Sequence, residues 1–136
     1  MIRSRGLGLF AGFGVELEYM IVDRDSLAIL PVADLVLHQV AGEMANEVAH
    51  GALRWSNELV LHVLELKTNG PASVLGGLAD EFTRQVRQIN QLLEGFGGML
   101  MPGAMHPWMD PDLETRLWPH GDRSIYAAYD RIFGCR

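Results

Sequence analysis

Strict alternation marks FGVELEYMIV, residues 13–22. The odd positions Phe13, Val15, Leu17, Tyr19 and Ile21 form one continuous apolar face. The even positions are Gly14, Glu16, Glu18, Met20 and Val22. A period of two predicts a β-strand. DRDS (23–26) reads as a turn, and LAILPV (27–32) as a short second strand returning from it. The pattern lengthens over PVADLVLHQVAGEMA (31–45), with Pro31 at the entry and Val32, Leu35, Val36 and Val40 on one side, which predicts a helix. GALRWSNELVLHVLELKTNGP (51–71) is rich in β-branched and aromatic residues and broken near Ser56-Asn57. It predicts two strands, or one bent strand, closed by a turn at TNGP.

The clearest helical pattern runs from about Ala72 to Phe96. Ser73 is the expected N-cap, and Leu78, Phe82, Val86, Ile89 and Leu93 recur at three- and four-residue steps. GFGG (95–98) ends it. MLMPGAM (99–105) predicts a further short strand. HPWMDPDLETRLWPHGD (106–122), interrupted by Pro107, Pro111 and Pro119, predicts an irregular loop, and RSIYAAYDRIF (123–133) a last helix. The loose alternation of strands and helices favours an α+β fold with a largely antiparallel sheet over a doubly wound parallel one.

With 136 residues and no internal repeat or composition shift, residues 1–136 read as a single domain with a real core. The formal charge is −6, and of the 11 Lys and Arg residues only Lys67 is a lysine. That balance argues against nucleic acid as a partner and fits a site that collects cations. Cys135 stands alone, so no intrachain disulfide or thiolate cluster is expected. The N-terminal MIRSRGLGLFAGFG is short, Gly-rich and without a cleavage signature, so it reads as a strand lead-in rather than a signal peptide. No stretch reaches the roughly 18 uncharged apolar residues of a membrane span. A cytoplasmic protein without membrane contact is the expectation. FGCR closes the chain inside a hydrophobic helical pattern without a cap, which reads as a C-terminal truncation.

The candidate chemistry lies in carboxylates. Glu16 and Glu18 project from one strand face, roughly 6.5–7 Å apart. They repel unless a cation or an arginine lies near; solvent exposure of that face is the bland alternative. Glu65 falls on an apolar strand face, where an ionised carboxylate needs a partner. Lys67, two residues on, is the structural choice. Glu58 has the opposite parity, so only a bulge or a free strand start brings it to Glu65, and Asn57 is the competing residue. Oxygen-only ligands of this kind suit Mg²⁺ or Mn²⁺, ions that most often serve phosphate transfer from a nucleotide. No G-x-x-x-x-G-K-[ST] or G-x-G-x-x-G spacing is present, so ATP, if bound, does not lie on a P-loop. His106, before Pro107, is a loop histidine placed to enter a site. His62 reads as a structural histidine.

Three motifs in order carry a resemblance: Gly14-Glu16-Glu18, then Glu58-Glu65 with Thr68, then His106-Pro107 after the long helix. Together they resemble the N-terminal part of the glutamate–cysteine ligase family in its second bacterial type, the carboxylate–amine ligases. The resemblance implies a glutamine-synthetase-like fold, a curved and mainly antiparallel sheet with a carboxylate-lined face and helices on one side. It covers nearly all of this chain but only the first part of the family's domain.

It also implies the chemistry. ATP phosphorylates a substrate carboxylate, such as that of glutamate, and an amine attacks the acyl phosphate to give an amide. By position, Glu16, Glu18, Glu65 and Glu58 are implied metal ligands, and His106 is implied near substrate or metal in a catalytic role. Basic residues that grip nucleotide phosphates are sparse here, with Arg54 the nearest, so the piece alone is open to being inactive, or to pairing as a homodimer that completes its sheet. Two other readings stand beside the ligase: a non-catalytic relative acting as a metal-binding or assembly module, and a metal-dependent hydrolase using the same carboxylates.

Overall fold

The computed structural model describes residues 6–121 and 124–134. Arg123, where the last helix is expected to begin, and Cys135 lie outside the described residues. Five strands form one antiparallel sheet: β1 (Glu16–Asp23), β2 (Glu47–His50), β3 (Leu53–Asn57), β4 (Val63–Thr68) and β5 (Gly98–Pro102), in the order β2-β3-β4-β1-β5. The helices are α1 (Ala33–Ala41), α2 (Leu78–Glu94), α3 (Pro111–Glu114) and α4 (Ser124–Phe133). The fold is therefore α+β with a mainly antiparallel, open sheet, as the sequence leads one to expect.

Alternation on β1 sorts its side chains as the pattern predicts. Ile21 faces the main core with Leu64 and Leu66 of β4, Leu53 and Trp55 of β3, and Leu100 of β5. Val36 and Leu37 of α1 and Phe82, Ile89 and Leu93 of α2 close this core from the helical side. A buried polar link ties the layers: the Trp55 indole N–H donates to Gln85 Oε1, and Gln85 Nε2 donates to His50 O at 2.8 Å. The opposite face of the sheet divides in two. Met20, Val22 and Val63 are buried there against Leu27, Val60, Met99 and Met101. Further along the same face the residues turn polar.

Four local expectations differ from the structure. Residues 27–32 form no strand: Val22 and Ile29 make a single bridge, Leu27 adopts a left-handed φ of 58°, and Asp23 Oδ1 accepts from Ser26 N at 2.8 Å to hold a tight turn. Pro31 lacks the N–H that a ladder needs, and β4 and β5 flank β1 instead. The first long helix ends at Ala41, where Gly42 caps it with φ 78°, and 47–50 forms an unexpected strand. Helix α2 starts at Leu78, not near Ser73. Two consecutive glycines, Gly76 and left-handed Gly77, break the pattern, and Val74 and Leu75 are left exposed. The 106–122 segment is not wholly irregular: Asp110 caps α3 by accepting from Asp112 N at 3.0 Å, and Trp118 is buried in the core.

Candidate functional site

Strand register places the carboxylates. In one row across the sheet, Ser56 of β3, Glu65 of β4 and Glu18 of β1 are successive cross-strand partners. In the next row Arg54, Lys67 and Glu16 are partners. All six therefore lie on one face, the one opposite the helices. Thr68 secures the entry of β1, accepting from Val15 N through its hydroxyl at 3.3 Å. A Cβ built at Gly14 meets nothing within 4 Å, so the approach to Glu16 is open there.

Glu16 and Glu18 are exposed, as the bland reading of that face requires. Glu65 is not. It is 7% exposed, and its Oε2 accepts from the Ser56 hydroxyl at 2.6 Å and from Lys67 Nζ at 2.7 Å. A buried carboxylate needs this compensation. The lysine expected as its structural partner is in place. Asn57 does not compete for that position: Ser56 holds the correct parity, and the Asn57 amide donates to the Tyr126 hydroxyl of α4 at 2.7 Å.

Glu58 lies in the segment between β3 and β4, outside the regular ladder, so its parity does not restrict it. Burial first, then the like charges of Glu65 and Glu18, hold its carboxyl above the ordinary carboxylate range. The Leu59 N–H and Lys67 pull the other way. Burial first pushes the Tyr126 phenol up from its usual value, the Asn57 hydrogen bond lowers it, and the charges of Glu58, Lys67 and Glu65 also reach it. Glu58 thus feels Glu65, Glu18 and Lys67, Tyr126 feels Glu58, Lys67 and Glu65, and Glu16 lies one row away, across from Lys67.

His106 is elsewhere. Its Nε2 lies 2.7 Å from Leu27 O, just past the far end of β1 from Glu16, and its Nδ1 accepts from Met109 N at 3.1 Å. Both ring nitrogens therefore hold backbone. Its titratable neighbour is His62, which is buried and whose Nδ1 has no hydrogen-bond partner among the described residues.

Sequence reasoning passed over Ser56 and Tyr126. Ser56 looked like a break in the strand pattern, and Tyr126 lies 61 positions from Glu65 with nothing local to connect them.

The donor chemistry fits a hard divalent cation: every carboxylate is an oxygen ligand, and a tethered cation, the Lys67 ammonium, already sits on the buried one. Among the described residues, however, no three His, Cys, Asp or Glu side chains are gathered closely enough to hold a metal ion. Also among them, no helix is long and apolar enough to cross a membrane.

The chain belongs to the glutamate-cysteine ligase family 2, which it matches over residues 12–134. It is also 31% identical over 123 residues to a protein of Archaeoglobus fulgidus described as an uncharacterized protein. That match takes in 90% of this chain and 33% of the relative, so the chain spans about a third of the length of the curated relative it matches. No solved structure matches it.

Proposed function

We propose that this chain supplies the acidic sheet face of an ATP-dependent carboxylate–amine ligase. The reaction phosphorylates a carboxylate, such as that of glutamate, with the γ-phosphoryl of ATP. An amine then attacks the acyl carbon, its proton is lost, and the acyl C–O bond breaks to release inorganic phosphate. The observation that carries this reading is the cross-strand pairing of Glu18 with Glu65 on the helix-free sheet face, with Glu58 coupled to both: burial first, then their like charges, raise its carboxyl. Such mutual repulsion is relieved by a cation.

On this reading Glu16, Glu18, Glu65 and Glu58 would each offer an oxygen ligand to Mg²⁺ or Mn²⁺, and because no three of them are gathered among the described residues, the bound nucleotide and substrate would have to supply the rest of the coordination. A divalent cation at such a position neutralises phosphate oxygens and the charge that develops on them. Ser56 orients Glu65 by donating its hydroxyl, and Tyr126, tied to Asn57, borders Glu58. His106 serves by position in this reading: it fixes the 106–109 turn to Leu27 and meets a substrate only if those backbone bonds open.

The test is ADP release from Mg²⁺-ATP. Release that requires both a carboxylic acid and an amine supports the ligase. Release to water alone favours a hydrolase, and none with any acid and amine pair contradicts an active ligase in this chain.

A further inference from the structure

Backbone direction alternates along β1. Val15 O accepts from Thr68 N at 3.0 Å and Ile21 N donates to His62 O at 2.7 Å, so the odd residues turn their peptide groups toward β4. The even residues turn theirs to the other side. There β5 pairs only with Met20 through Asp23, and a bridge between Tyr19 and Gly103 is the last contact before the N-terminal half of the strand. Among the described residues, no strand flanks Glu16–Glu18 on that side. The side chains are uncovered as well. Leu17 belongs to the core face by parity, yet it is 39% exposed while its cross-strand partner Leu66 is fully buried. It opens onto an apolar groove of about 550 Å³ between β1 and α2, lined with Val15, Tyr19, Leu78, Phe82 and Val86. On the opposite face Glu16 and Glu18 are exposed.

We infer that this edge of β1 binds one further β-strand, supplied by a separate polypeptide, in which a basic, an apolar and a basic residue follow one another. A strand added beside β1 takes up the outward peptide groups of Glu16 and Glu18, and its own side chains alternate across the sheet plane. The residue opposite Leu17 then enters the apolar groove, and its two neighbours meet Glu16 and Glu18. Those carboxylates select lysine or arginine, because opposite charges directly across a strand pair are favourable and like charges are not. The same rule argues against a second copy of this chain on the edge. A two-fold pairing of β1 with itself sets Glu16 and Glu18 against the same carboxylates of the other copy. The docking stands on the free backbone, the groove and the charge pattern, and does not depend on a metal at those residues.

The probe is a capped peptide, Thr-Arg-Val-Arg-Ile-Ser, added to the ¹⁵N-labelled protein and followed by NMR, with Thr-Glu-Val-Glu-Ile-Ser as its charge-reversed twin. The Arg peptide is expected to shift the Glu16 and Glu18 amide signals and to slow their hydrogen exchange, which is fast in the free protein. It is expected to bind roughly tenfold more tightly than the Glu peptide, the scale of two cross-strand charge pairs changing sign. In Glu16→Arg/Glu18→Arg the preference is expected to reverse. Should that variant not fold, the wild-type preference between the twins decides alone. Equal binding of the two peptides, binding of neither, or shifts confined to residues away from β1 overturns the proposal. Slow exchange of the Glu16 and Glu18 amides without peptide overturns it too, and protection that grows with protein concentration then puts a second copy on the edge.

Discussion

Ser56 Oγ donates to Glu65 Oε2 at 2.6 Å across the β3–β4 pair, and both residues are buried. This bond lets an apolar sheet carry an ionised carboxylate, since Lys67 alone leaves part of Glu65's hydrogen-bonding capacity unmet. Ser56→Ala removes the donor and leaves the acceptor in place. The expected cost is about 1–3 kcal/mol of folding stability, the range for stripping a partner from a buried polar group. Chemical denaturation measures it, and an unchanged midpoint and slope would show that the hydroxyl contributes nothing.

Glu58 gives a pH signature of opposite sign to that of a salt-bridged acid. Its native carboxyl titrates above its unfolded value, so the native state binds the proton more tightly than the unfolded chain does. The stabilising contribution is present below the unfolded value, near 4.5, and is lost as pH rises through the higher native one. Glu58→Gln should therefore stabilise the protein at neutral pH, with the advantage disappearing in acid. A ¹³C titration of the Glu58 carboxyl in Glu18→Gln should show it shifted down toward the ordinary range. A Glu58 value that ignores the Glu18 substitution would separate the two residues.

His62 predicts acid sensitivity at milder pH. Burial first, then the charge of His106, holds its imidazole below the usual histidine value, with Glu114 pulling the other way. Between that native value and the unfolded value of about 6.5, the unfolded chain binds more protons, so stability falls as pH drops from neutrality through this window. His62→Gln is expected to flatten the thermal midpoint between about pH 7 and 5. A wild-type profile that is already flat there contradicts it.

His106 separates position from chemistry. His106→Ala removes the ring that joins Leu27 O to the Met109 N–H, so it should lower the thermal midpoint and leave Mg²⁺ affinity unchanged. Loss of Mg²⁺ binding with full stability would instead place the imidazole at the metal.

The strand pattern made most of the sheet legible. Alternation on β1 separates Ile21 from Met20, and the apolar run of β4 makes a buried Glu65 visible as an anomaly that demands a partner. Lys67 could be named because i and i+2 share a strand face. Residues 27–32 could not be resolved in this way: an apolar hexapeptide reads as a strand locally, and only the competition of β4 and β5 for the edges of β1 decides against it. Helix α2 misled at its start because Val74 and Leu75 keep the periodicity that Gly76 and Gly77 interrupt. The short β2 was missed because EVAH holds too few residues to show a period. Within the site, the electrostatic coupling of Glu58 to Glu65 and Glu18 depends on a non-ladder connection whose path no periodicity describes.

The most direct test of the acidic face as a cation site is thermal unfolding of the 136-residue chain with and without Mg²⁺, then with ATP added, in wild type and in Glu18→Gln/Glu65→Gln. A ligand that binds only the native state must raise the midpoint. The account predicts a rise with Mg²⁺ in the wild type, a further rise with ATP, and no metal-dependent rise in the double variant. An equal rise in both proteins, or no rise in the wild type, would contradict it.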